Sequence, residues 1–127
     1  MNEKIICIDI GLKRIGMAYA YKDVVVPLEP ILRKNRNQAA RDVLNAINQR
    51  DVKRLVIGVP IGGSSEDEMR RRIEHFVSLL NFNGEIFYQN EAFSSFEASE
   101  LVDDNRDGKF DSVAAMIILK RFLSKSS

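Results

Sequence analysis

The chain is poor in the residues from which many sites are built. It has one cysteine, Cys7, and one histidine, His75, among 127 residues. A lone cysteine excludes an internal disulfide and suits a reducing compartment. One cysteine with one histidine also excludes the usual four-ligand Cys/His zinc centre within a single chain. No apolar run approaches the roughly 20 residues of a membrane-crossing helix. Repeats, low-complexity tracts and linkers are missing too. Met1-Asn2-Glu3-Lys4 leads straight into an apolar segment without a signal peptide's cleavage region, so a cytoplasmic protein with no membrane attachment is expected. Neither sign of charge dominates, since 19 Lys and Arg face 18 Asp and Glu, for a net charge of +1. The total therefore gives no support for a nucleic-acid partner, and any catalysis that needs several ligands is left to carboxylates.

What is present is the mix of a globular protein, 45% apolar and 29% charged, and one domain over residues 1–127 is expected. Cations gather locally at Lys13-Arg14, at Arg33-Lys34 with Arg36, at Lys53-Arg54 and at Arg70-Arg71-Arg72. Local basic patches, rather than net charge, bind phosphates. The last cluster has a simpler reading. Glu66–Arg70, Asp67–Arg71 and Glu68–Arg72 stand at helical i,i+4 spacing and suit a solvated helix face.

Periodicity divides the chain into strands and helices. Residues 4–10, 15–21 and 23–32 read as three strands whose short connections, with a tight reversal at Lys22-Asp23, imply an antiparallel meander. Pro27 and Pro30 place the third at an edge, because proline cannot donate to a ladder. A helix over 37–50 has Ala40, Val43, Leu44 and Ile47 on one side. Residues 55–59 form a fourth strand and 65–81 a second helix, opened by a Ser65/Glu68 capping box. A short strand over 85–88 follows, then a helix opened by Ser94 and Glu97 to about 103, a polar stretch, and a last helix over 110–124. This order implies an α/β fold, a five-stranded mixed sheet with helices on both faces. The continuous apolar runs of strands one and four place them centrally. Cys7 reads as a small core residue and His75, beside Glu74, as exposed.

Three acids fall where a solvated face would not put them. Asp9 interrupts the apolar run Ile5-Ile6-Cys7-Ile8, in a strand interior that disfavours Asp. Unpartnered and buried, a carboxylate would rather protonate. Glu91 follows the last strand. Asp111 opens the last helix, in line with Ala114, Ala115, Ile118 and Phe122. In open α/β sheets ligands collect at the carboxyl ends of parallel strands, where Asp9 and Glu91 can converge. Three converging carboxylates repel one another, and a hard divalent cation such as Mg²⁺ removes that penalty. Asp111 equally suits a plain N-cap and Glu91 a loop acid, and spacing alone does not choose.

Taken together, Asp9-Ile10-Gly11 with Lys13-Arg14-Ile15-Gly16, Val56-Ile57-Gly58-Val59-Pro60, Glu91 with Ser94-Ser95, and Asp111-Ser112-Val113-Ala114-Ala115 resemble the YqgF family of Holliday junction resolvases and pre-16S rRNA nucleases. The resemblance spans essentially the whole chain. It implies an RNase H-like fold and a metal-dependent endonuclease in which Asp9, Glu91 and Asp111 are the catalytic acids and hold Mg²⁺ or Mn²⁺. It also implies that Gly11 lets a nucleic-acid backbone approach while Lys13 and Arg14 hold its phosphate, with Ser94 near the same site. Gly58 and Pro60 would shape the turn after strand four, and Gly62-Gly63-Ser64 would line the groove. One motif departs from the family, which reads Asp-Glu-Arg where this chain has Asn90-Glu91-Ala92. The missing arginine leaves Lys109 as a replacement cation, and Asp107 is the nearest candidate for a fourth acid.

The resemblance leaves two substrates open, the ends of pre-16S rRNA and a four-way DNA junction. A junction resolvase would act as a homodimer. A nucleic-acid-binding module with a degraded triad is the alternative that Asn90 and Ala92 favour. A nucleotide-binding domain of the actin and sugar-kinase type shares the Asp-x-Gly turn, but needs two such domains.

Overall fold

In a computed structural model of the chain, residues 4–11, 13–59, 66–90 and 109–126 are described, with backbone alone at 66, 109–111, 125 and 126. The elements are β1 (Lys4–Ile10), β2 (Arg14–Tyr21), β3 (Val24–Leu32), α1 (Arg36–Gln49), β4 (Arg54–Val59), α2 (Glu66–Leu80), β5 (Glu85–Asn90) and α3 (Lys109–Ser126). The helix expected over 94–103 lies outside the described residues, as does Ser65 of the expected capping box.

The strands form one sheet in the order β3-β2-β1-β4-β5. β1 and β2 pair antiparallel with Ile8 opposite Met17 and Asp9 opposite Gly16, and β2 and β3 continue the meander. β4 and β5 add in parallel, with Ile57 beside Ile8 and Gly58 beside Gln89. β1 is thus the middle strand and β3 an edge, as its two prolines require. The β2–β3 reversal puts Lys22 at φ 58°, the left-handed conformation of a tight turn. Between Ile15 and Met17 the β2–β3 register shifts, because two residues of β2 span the three steps from Ile31 to Leu28. Pro30 lies within that bulge, a position where its missing N–H costs no ladder bond.

Alternation along β1 divides the core in two. Ile6 and Ile8, with Leu55 and Ile57 of β4, meet Ala40, Val43 and Ile47 of α1 and Ile73, Phe76 and Leu80 of α2. Ile5, Cys7, Ala18 and Val56 face the other way, onto Ala115, Ile118 and Leu119 of α3. Burying each large aliphatic side chain contributes about 1.5–3 kcal/mol, so both layers matter to stability. The small residues Ala114, Ala115 and Ala18 let α3 lie close to the sheet, and the Phe122 ring reaches Phe87 of β5 with centroids 5.2 Å apart. Cys7 is a buried core residue, as expected. Among the described residues no helix is long and apolar enough to cross a membrane.

Candidate nucleic-acid site

Asp9 is the penultimate residue of β1, at the carboxyl end of the central strand. By alternation it shares the face of Ile5 and Cys7, which is the face that α3 covers. Its cross-strand partner is Gly16. On the other side Gly58 stands one residue beyond Ile57, the partner of Ile8. Neither glycine has a side chain, so the two positions beside Asp9 in the flanking strands add no bulk next to it. Asp9 is half-buried and takes part in interactions of its own. In the next strand the same row ends at Gln89, which is 5% exposed and whose amide reaches Asn90 O at 3.5 Å.

α3 is fastened to this end of the sheet by a residue that sequence reasoning passed over. Ser112 is fully buried. Its Oγ accepts the Met17 N–H at 3.3 Å and donates to Leu28 O at 2.5 Å, bridging β2 and β3 at the bulge. Met17 is paired with Ile8, so the first turn of α3, which includes Asp111, is anchored within one residue of the Asp9 row. The available signal was a hydroxyl in an otherwise apolar helix face. The side chains of Asp111 and Lys109 lie outside what is described, and so do Glu91, Ser94, Pro60, Asp107 and the 62–64 loop. The structure therefore places Asp9 and the backbone start of α3 at one end of the sheet and does not bear on the rest of the expected triad. Among the described residues no cluster of three His, Cys, Asp or Glu could hold a metal. Asp9 supplies one hard oxygen donor, which suits a divalent cation completed by other carboxylates.

The β1–β2 turn carries the other expected residues. Gly11 N–H donates to Arg14 O at 2.9 Å, and a Cβ on Gly11 would come within 2.7 Å of that same oxygen, so the turn admits only glycine without moving. Lys13 is exposed at its tip and Arg14 half-buried at the start of β2. Arg33, just after β3, locks the turn from behind. Its N–H donates to Lys13 O at 2.8 Å and its Nη1 to Gly11 O at 2.6 Å. The Arg33 guanidinium also lies 5.6 Å from the centre of the Phe76 ring. Burial first, and then the charge of Arg36, lower its pKa below the ordinary arginine value.

The basic cluster on α2 is exposed, as its spacing implied, but not all of its pairs form. Glu68–Arg72 forms at 2.7 Å, but among the described residues Asp67 and Arg71 make no pair. Arg71 and Arg72 instead line a cleft of about 440 Å³ together with Arg33, Arg36, Gly11 and Ile10. His75 is exposed, as expected, and its Nδ1 lies 3.0 Å from Arg36 Nη1 at the same cleft.

This fold is that of the RNase H-like resolvases. The chain superposes on T. thermophilus RuvC in complex with a Holliday junction substrate with a TM-score of 0.64, at 8% identity, over 98% of this chain and 96% of the other. Fowlpox virus resolvase, in a complex with Holliday junction DNA, gives 0.59 at 17% identity over 97% of both chains. Such identities speak for fold alone. The sequence speaks for family. Residues 3–125 match RuvX, described as a Holliday junction resolvase. Proteins of Sulfurimonas denitrificans and Campylobacter lari are each 56% identical to this chain, over 94% of it and 96% of their own length, and both bear the name "Putative pre-16S rRNA nuclease". The chain belongs to the RuvX family, the YqgF family of the sequence resemblance.

Proposed function

We propose that this protein is a metal-dependent endonuclease, one RNase H-like domain over residues 1–127, that hydrolyses phosphodiester bonds in structured nucleic acid in the cytoplasm. The observation that carries the reading is Asp9, a carboxylate at the carboxyl end of the central strand, between two glycines and under the helix that begins with Lys109 and Asp111. Family membership supports it independently.

Asp9, Glu91 and Asp111 would hold Mg²⁺ or Mn²⁺. A bound ion of this kind lowers the pKa of a coordinated water and stabilises charge on the leaving oxygen. The chain's own contribution is position. Gly11 presents backbone without a Cβ, so a phosphate can approach the turn. Lys13 and Arg14 neutralise that phosphate, and Arg33 holds the turn in place through Gly11 O and Lys13 O. Lys109, at the start of α3, stands in for the arginine that Ala92 replaces, and Ser94 belongs to the same site.

The 5′ end of pre-16S rRNA is the favoured substrate, supported by the names of relatives at 44–56% identity. Resolution of a four-way DNA junction would call for two copies of the chain, to cut two strands. The test is cleavage of a labelled pre-16S rRNA fragment and of a labelled four-way junction, each with Mg²⁺, with Mn²⁺ and with EDTA. Divalent-dependent cleavage of the RNA supports the proposal. Cleavage of the junction alone moves it to the resolvase reading, and cleavage of neither leaves a binding module.

A further inference from the structure

Among the described residues, the cleft on the α1/α2 side of the sheet is lined by four guanidiniums and one carboxylate. Arg33 comes from the end of β3, Arg36 from the first turn of α1, and Arg71 and Arg72 from α2. That acid, Glu68, is already paired with Arg72. Among the described residues, Arg33, Arg36 and Arg71 have no carboxylate within ion-pair distance. Folding thus gathers like charges from three separate elements and leaves them uncompensated, although like charges that close disfavour each other.

Two of the four are also held in place. Arg33 is fixed by Gly11 O and the Phe76 ring. Arg36 is oriented by His75, whose Nδ1 must be the acceptor because a guanidinium only donates. Arginines held in this way retain further donors, in the forked geometry that matches phosphate oxygens. The volume of about 440 Å³ falls within the range of clefts that hold ligands, about 300–1,000 Å³.

The position of the cleft says which phosphate. It is bordered by Ile10 and Gly11, the two residues after Asp9. At roughly 3.3 Å per strand residue, Gly11 lies about 7 Å along from Asp9. A strand crossing the carboxyl end of the sheet would meet Asp9 on the α3 face and the arginines on the other. Resting on the nuclease reading above, we infer that Arg33, Arg36 and Arg71 form a second phosphate-binding subsite, which grips the nucleic-acid backbone at a phosphate other than the one that is cut.

The test measures binding without cleavage. The full chain is titrated in EDTA against a fluorescein-labelled RNA hairpin and a labelled four-way DNA junction, over a range of salt concentrations. The variants are Arg36→Gln with Arg71→Gln, the same pair changed to Lys, and a charge-matched control, Lys22→Gln with Lys53→Gln, at the far end of the sheet. Each phosphate contact contributes a salt slope of about 0.7 on single strands and 0.9 on duplex, so losing two lowers the slope by about 1.4–1.8. If the contacts contribute nothing at 1 M salt, affinity at 0.1 M falls roughly 25- to 60-fold. The expected result is that loss in the Gln pair, substantial recovery in the Lys pair, and little change in the control. All three variants binding like the wild type, or the Gln pair and the control losing affinity equally, would overturn the subsite while leaving the nuclease reading intact. Failure of the wild type to bind either nucleic acid would remove that reading and the subsite with it.

Discussion

Replacing Ser112 by alanine removes one oxygen and detaches α3 from the sheet at two points. Ser112 Oγ is the partner of Met17 N–H and of Leu28 C=O, in a place with no solvent access. Alanine can serve neither: Leu28 O, half-buried on the edge strand, can turn to water, whereas Met17 N–H is buried. A buried backbone group left unsatisfied costs about 1–3 kcal/mol. With an unfolding entropy of about 2.1 cal/mol/K per residue, 127 residues give about 0.27 kcal/mol/K, so each kcal/mol lowers Tm by roughly 4 °C. The expected fall is therefore roughly 4–11 °C in scanning calorimetry or in thermal unfolding followed by circular dichroism. Because Asp111 is the adjacent residue, cleavage measured well below Tm should also decrease. A Tm within about 1 °C of wild type would refute the reasoning, since it would mean that the β2–β3 bulge does not depend on the hydroxyl.

Two other changes test the structure around the site. Gly11→Ala forces a Cβ to within 2.7 Å of Arg14 O, so the β1–β2 turn must open and loosen the Arg33 hydrogen bond to Gly11 O. Overpacking of this kind costs about 1–3 kcal/mol, read as a lower denaturation midpoint in urea. Asn35→Ala removes the α1 cap, in which Asn35 Oδ1 accepts Gln38 N–H at 2.8 Å and Gln38 Oε1 accepts Asn35 N–H at 3.3 Å. It should cost about 0.5–2 kcal/mol with the urea m-value unchanged.

The sheet was legible because its signals are local. Apolar runs without polar alternation mark β1 and β4 as covered on both faces, and Pro27 and Pro30 mark β3 as an edge. Asp9 stood out for the same reason, as a single charge in an apolar strand. The capping box of α1, Asn35-x-x-Gln38, went unread, because it is an inconspicuous pattern in a polar stretch. Ser112 was not legible, because its role depends on a register shift between two strands whose contacting residues lie 84 and 95 positions earlier in the chain. The arginine cleft was hidden for a similar reason. Arg33, Arg36 and Arg71 meet only after folding, the net charge of +1 hides them, and i,i+4 spacing to Asp67 suggests a pair that does not form. Glu91, Asp111 and Ser94 rest on the family motif and Lys109 on that motif's missing arginine, with only the backbone start of α3 placed here.

The central claim is that the aspartate in the middle strand is there for chemistry on phosphodiesters. Asp9→Asn keeps the size of the side chain while removing its charge and replacing one acceptor oxygen by a donor. The variant and the wild type should be compared for binding of pre-16S rRNA in EDTA and for its cleavage in Mg²⁺ and Mn²⁺. Binding retained with cleavage lost by several orders of magnitude is the predicted result. Cleavage at an undiminished rate in Asp9→Asn would contradict the account.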